Sequence, residues 1–291
     1  MGEQMTEAEP VARQYAAGII NITNRCTLRC RHCFVYRDGN PNNPGKEMDT
    51  ATILRKVSEL KERHGLRAML WMGGEPLLRP DVLIEGTQLF PKNIVTTNGT
   101  LDLIGLPRCT FVVSIDGPPE LNDSIRGKGA FAKVMATLSR VPERFEPTVM
   151  CQCVVTKANE DALEELVELL RPTQAEGMTF SFYVPRRNDD SEFTWGSLER
   201  RDKAVHEVIR LKNKHSDFIW NTLRALELTL SENAKSVTDN CPSQKYLLPL
   251  YLEGDEFVSP FCCYGNDVDC DLCGSWAVFN IASKLGLAGR P

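Results

Sequence analysis

Gly18-Ile19-Ile20-Asn21-Ile22-Thr23-Asn24-Arg25-Cys26-Thr27-Leu28-Arg29-Cys30-Arg31-His32-Cys33 carries an apolar, β-branched strand directly into a loop with three thiols. The spacing is C-x3-C-x2-C. Soft thiolates this close together favour iron–sulfur or zinc over hard cations. A cubane cluster has four irons, so three cysteines leave one iron without a protein ligand, and an open position on a metal is where a cofactor or substrate binds. The spacing does not match the paired C-x2-C repeats of a zinc module. Taken alone, the stretch also fits a structural zinc knuckle or three unrelated thiols.

Working outward, the same pattern repeats. A loop rich in Gly, Pro and Asn over 37–48 precedes a helix capped by Asp49 or Thr50 and running to about His64. Ala68–Met72 reads as a strand broken by Gly73-Gly74-Glu75-Pro76, and Pro80–Leu89 as helix. Strands follow at Asn93–Thr97, Thr110–Ile115, Thr148–Thr156 and Met178–Val184, with helices at Phe131–Val141, Glu160–Leu170 and about Ser197–Lys214. Six strands alternating with helices predict right-handed crossovers and a parallel sheet. The expected fold is α/β, a partial (β/α)6 TIM-like barrel. Cys26, Gly73, Asn98 and Ser114 all fall where strands end, the edge that carries the site in parallel α/β folds.

Beyond residue 215 the pattern changes. Phe218–Ala234 has helical spacing, Tyr246–Leu252 and Glu256–Val258 read as a strand pair, and Trp276–Leu285 as a closing helix. The expected division is a polar lead-in over 1–17, the barrel over 18–215, and a small cysteine-rich C-terminal extension over 216–291.

Composition narrows the classes. Hydrophobic residues make up 42% and charged residues 25% of 291, as in ordinary globular proteins. No apolar run reaches the roughly 18 residues a membrane span needs, and the acidic, polar start lacks the basic and apolar regions of a secretion signal. The expectation is a cytoplasmic protein with no membrane partner. A net charge of -5 disfavours nucleic acid. Eleven cysteines without a secretion signal point to metal or redox chemistry rather than disulfides. Cys109, Cys151 and Cys153 sit in apolar strands and are expected to be inert buried thiols.

The C-x3-C-x2-C loop after the first strand and Gly-Gly-Glu-Pro after the second together resemble the radical S-adenosylmethionine superfamily, over about residues 18–190. The resemblance implies a [4Fe–4S] cluster on Cys26, Cys30 and Cys33 whose open iron chelates S-adenosylmethionine. It also implies reductive cleavage to a 5′-deoxyadenosyl radical that takes a hydrogen atom from substrate carbon, and an electron donor such as flavodoxin or ferredoxin. His32 sits where the family has an aromatic residue near the adenine; the alternative is a solvated loop histidine. Gly73, Gly74 and Glu75 resemble the segment that binds the cofactor's ammonium, by backbone carbonyls or a carboxylate. Ser114-Ile115-Asp116-Gly117-Pro118 with Arg126 resembles the subgroup that carries auxiliary clusters, where the serine and arginine contact ribose and carboxylate. Asn98 lines the same cleft or forms a strand-end turn.

Cys241, Cys262, Cys263, Cys270 and Cys273 resemble a shortened SPASM, or twitch-type, extension with one auxiliary [4Fe–4S] cluster; the alternative is a zinc staple. A cubane takes four thiolates and five are present. Adjacent side chains on an extended chain diverge, so Cys262 and Cys263 are expected not to share a cluster. Cys262 is taken as the spare thiol and Cys263 as ligand, with the reverse assignment or an inert buried cysteine as the alternatives; a spare thiol would donate a hydrogen atom to a substrate radical, as the resemblance to aminoglycoside-type radical epimerases implies. Asp189, Asp190, Glu192, Asp267, Asp269 and Asp271 lie in loops that could face the cleft and draw a small polycationic aminosugar, although solvated loop charge is the favoured reading of each taken singly. Peptide modification, small-molecule dehydrogenation or decarboxylation, and a metal-binding structural role are the competing readings.

Overall fold

In the computed structural model, residues 13–37, 39–40 and 47–287 are described. Most of the expected lead-in and the centre of the 37–48 loop lie outside them. Strands β1 (Ala17–Asn21), β2 (Ala68–Met72), β3 (Lys92–Thr97), β4 (Cys109–Ser114), β5 (Thr148–Val155) and β6 (Gly177–Phe182) pair in parallel, each with the next in the chain. The crossovers run through α1 (Thr50–His64), α2 (Pro80–Gly86), α3 (Pro119–Arg126), α4 (Ala130–Ser139) and α5 (Leu163–Leu170). This is the expected open, TIM-like α/β sheet.

Local chemistry explains the elements. Asp49 caps α1 by accepting from Thr52 N at 2.9 Å, and Gly65 closes it at φ 65° in the left-handed region. In α5, Leu163, Leu166, Val167 and Leu170 follow the i, i+3, i+4, i+7 spacing and all are buried against the sheet. Between β2 and β3, buried Trp71 donates to Asn93 Oδ1 at 3.0 Å while Asn93 Nδ2 donates to the Thr87 and Phe90 carbonyls. Every polar atom of that pair is thereby satisfied away from water. Cys109, Cys151 and Cys153 are buried in the sheet, as expected.

After α6 (Leu198–Lys214) the chain departs from the sequence reading. Phe218–Ala234 is not one helix. It begins as an irregular stretch whose Met178–Ile219 bridge flanks β6, then forms α7 (Leu223–Thr229) and α8 (Ser231–Thr238), broken at Leu230. Then α9 (Pro242–Tyr246) leads into β7 (Leu247–Glu253) and β8 (Glu256–Val258), and α10 (Trp276–Lys284) follows. The β7–β8 hairpin does not stand apart in the extension. β7 pairs in parallel with β1, from Ala17↔Leu247 to Ile20↔Leu250, so the sheet has eight strands in the order β6-β5-β4-β3-β2-β1-β7-β8. Leu248, Leu250 and Leu252 join the core under β1 and β2. No described helix is long and apolar enough to cross a membrane.

Candidate active site

The parallel sheet delivers four strand ends to one edge, and the cysteine loop that follows β1 is tied to two of the others and to a helix end. Beyond β2, Gly74 N donates to Thr23 O and Glu75 N to Arg25 O, both at 2.8 Å. A Cβ at Gly74 would collide with Arg25 O and the Tyr36 hydroxyl, so only glycine allows this approach. Beyond β3, Asn98 Nδ2 donates to Thr27 Oγ1 at 3.0 Å and lies 3.5 Å from Cys26 Sγ. At the end of α3, Ile125 O accepts from Arg31 N at 2.9 Å.

The three loop thiols are half-buried. Burial pushes Cys26 up, with further contributions from Glu75 and Cys33, and pushes Cys30 up to about 11 although Arg126 opposes it. Neutral thiols are therefore favoured until a metal takes the proton's place. Among the described residues, no three thiol sulfurs lie within 4.8 Å of one another, the closeness a single ion would require. A cluster that sets one iron under each thiolate accepts wider spacing. The donor set fits a [4Fe–4S] cluster with one open iron.

His32 and Arg126 do not stand free in the cleft. Both converge on Asp116, which is fully buried just past β4: His32 Nε2 lies 2.8 Å and Arg126 Nε 2.6 Å from its Oδ2, and Val154 N donates to its Oδ1 at 2.9 Å. Burial alone would raise the Asp116 pKa; Arg126 and then His32 hold it well below the usual carboxylate range. Sequence reasoning quoted Asp116 but gave it no role. Its place between Ser114 and Gly117, at an otherwise apolar strand end, was the available signal. His32 Nδ1 remains buried without a partner, and among the described residues the half-buried Ser114 hydroxyl has none either. Both fit a polar ligand.

Of the two kinds of acceptor expected in this segment, backbone carbonyls or a carboxylate, the Glu75 carboxylate is already engaged. It is fully buried; Oε1 accepts from Leu77 N and Thr97 Oγ1, and Oε2 from Asn98 N, at 2.8–3.0 Å. That carboxylate is spent on the strand ends, which leaves the glycine carbonyls as the acceptors of this segment.

A cavity of about 340 Å³ opens beside the loop, lined by Arg29, Cys30, His32 and Cys33 of the loop and by Arg186 and Asp189. The expected acidic lining is largely absent because the loop carboxylates are already engaged. Glu192 pairs with Arg31, Asp267 with Arg37 at 3.3 Å, and Asp271 with Lys235 at 2.7 Å, while Asp269 accepts from Asp271 N. Asp189 accepts from the Tyr183 hydroxyl at 2.9 Å. Arg31 and Arg37 also line the cavity, so arginines outnumber carboxylates there.

The five C-terminal thiols come together. Cys273 is buried in a small core of α7, α8 and α10, with Cys241, Cys262 and Cys270 packed on it. Cys263 Sγ lies 4.0 Å from Cys262 Sγ. The thiols act on one another: Cys263 is raised by Cys262, burial, Cys273 and Cys241, and Cys262 is lowered chiefly by its contact with Cys263. The divergence expected of an extended chain is not observed. Reciprocal backbone bonds between Cys262 and Gly265 close a tight turn, with Gly265 at φ 113°, and bring both sulfurs to one side. Cys262 does not line the cavity, but Arg37 joins the two regions. It lines the cavity, its guanidinium donates to Tyr264 O at 2.7 Å, and its charge acts on Cys262.

The model of the family described as "Radical SAM superfamily" matches residues 20–170, just over half of the chain. "Molybdenum cofactor biosynthesis protein 1" of Mus musculus is 31% identical over 171 residues, 54% of this chain but only 27% of that protein. "Probable GTP 3',8-cyclase" of Methanosarcina mazei is 28% identical over 236 residues, 73% of this chain and 69% of the relative. Among solved structures, "Native anSMEcpe with bound AdoMet" superposes with a TM-score of 0.67 over 93% of this chain and 82% of that one, at 15% identity.

Proposed function

The chain belongs to the radical S-adenosylmethionine superfamily, and from that premise we propose that it is a radical enzyme that inverts a carbon centre of a small-molecule substrate, with Cys262 returning the hydrogen atom. When bound, the cluster and S-adenosylmethionine supply a 5′-deoxyadenosyl radical able to abstract hydrogen from carbon. Cys26, Cys30 and Cys33 would hold that cluster. Gly73 and Gly74 would offer carbonyls to the cofactor's ammonium, the Ser114 hydroxyl and His32 Nδ1 would meet its polar atoms, and Asn98 would steady Cys26. Arg126, turned onto Asp116, would orient this wall rather than bind the cofactor unaided.

In the extension, Cys241, Cys263, Cys270 and Cys273 would ligate an auxiliary [4Fe–4S] cluster, with Cys262 spare. The carrying observation is the count and placement of these thiols: Cys241, Cys262, Cys270 and Cys273 meet in one small core and Cys263 Sγ lies 4.0 Å from Cys262 Sγ, one thiol more than a cubane takes, and cavity-lining Arg37 acts on Cys262. The Cys262 S–H would give its hydrogen atom to the substrate radical and become a thiyl. One electron, from the auxiliary cluster or an external flavodoxin- or ferredoxin-type donor, and one proton would restore it.

A second reading has its own support. The arginine-rich cavity and the likeness to a protein named as a probable GTP 3',8-cyclase favour radical cyclisation of an anionic, nucleotide-like substrate. Turnover of aminosugar and nucleotide panels in deuterated water separates the two. Inversion places one solvent-derived deuterium on the product carbon and needs Cys262; full turnover by Cys262→Ala with intact clusters contradicts it.

A further inference from the structure

Arg201 is among the most deeply buried side chains, 2% exposed in the first turns of α6. Its Nη1 donates to Cys273 O at 2.7 Å and Leu272 O at 3.3 Å, and its Nη2 to Thr229 O at 2.6 Å; Nε has no partner. The acceptors are all carbonyls. Among the described residues no carboxylate pairs with it. The neighbouring Asp202 spends its carboxylate on Ser231 N and Oγ. The face of Phe182 lies 5.9 Å away. A lone buried cation is costly and calls for a counter-charge. The N-terminal end of a helix, where the macrodipole is positive, makes the cost greater.

Resting on the reading that the C-terminal thiols hold an auxiliary iron–sulfur cluster, we propose that Arg201 is the buried counter-charge of that cluster, holding the Cys270–Cys273 turn by its carbonyls and raising the cluster's reduction potential. No described carboxylate bonds the guanidinium, and the four thiolates of a bound cluster would supply the negative charge beside it. A one-electron reduction makes the cluster more negative still, so a fixed cation beside it stabilises the reduced form more than the oxidised form. Arg201 is a positioning residue in this account and touches no substrate.

The test is an EPR-monitored redox titration of the reconstituted holoprotein, comparing wild type with Arg201→Gln, Arg201→Met and Arg201→Lys. The neutral variants should keep both clusters by iron count and shift the auxiliary signal to lower potential, while Arg201→Lys restores it and the Cys26/Cys30/Cys33 cluster stays unmoved. An unchanged auxiliary potential in the neutral variants with the cluster intact overturns the role of Arg201 and leaves the auxiliary cluster standing. If wild type loads only the first cluster, the auxiliary-cluster reading fails and the inference falls with it. Folding of the lysine variant but of neither neutral one also supports the need for charge. Failure of all three shows that guanidinium geometry alone is at work and overturns the proposal.

Discussion

Replacing Glu75 by alanine separates a structural carboxylate from one reserved for the cofactor. Glu75 accepts from Leu77 N, Thr97 Oγ1 and Asn98 N, all buried. Alanine orphans two backbone N–H groups and a hydroxyl, and a buried donor without a partner costs about 1–3 kcal/mol. The Thr97 hydroxyl can turn; the two backbone groups cannot. Against this, burial pushes the Glu75 pKa up, so the carboxylate carries a desolvation cost that alanine removes. The balance places the loss near 3 kcal/mol, within the range known for breaking a buried polar network. Glu75→Gln should fall between, because one amide N–H then faces an N–H donor. The assay is urea unfolding followed by tryptophan fluorescence, without added S-adenosylmethionine. Stability of Glu75→Ala within about 1 kcal/mol of wild type, with only cofactor binding lost, would refute the structural assignment.

Gly74→Ala should displace Arg25 and Tyr36 and with them the cysteine loop, lowering iron content on reconstitution; full iron loading would show that the close approach is not needed. Asp116 has a folded pKa below its unfolded value of about 3.9. Its stabilisation is therefore present above that value and is lost as pH falls through it towards the folded pKa. Melting temperature between pH 7 and 3 should drop less steeply for Asp116→Asn than for wild type, from a lower starting point; parallel curves would contradict the pairing with His32 and Arg126. Cys26→Ala should abolish 5′-deoxyadenosine formation while the auxiliary iron remains, and retained cleavage would remove Cys26 from the ligand set.

The six parallel strands and the placement of Cys26, Gly73, Asn98 and Ser114 at their ends were legible because each rests on local pattern: alternation, caps such as Asp49, and breakers such as Gly73-Gly74. What escaped depends on contacts distant in the chain. Nothing within Leu247–Glu253 announces that it pairs with β1, some 230 residues earlier, as well as with Glu256–Val258. The convergence of His32, Asp116 and Arg126 joins a loop, a strand end and a helix end, so no single stretch displays it. The separation expected of Cys262 and Cys263 failed for a local reason. It assumed extended backbone, and the Cys262–Gly265 turn is not extended. The loop carboxylates were a poor guide to the cleft, because the sequence does not show which of them have an arginine beside them.

Anaerobic reconstitution with iron and sulfide, followed by metal analysis and a dithionite-driven assay for 5′-deoxyadenosine, tests the central claim most directly. Two cubanes per chain predict about eight irons, together with S-adenosylmethionine cleavage that disappears in Cys30→Ala. Bound zinc with no cleavage would contradict the account.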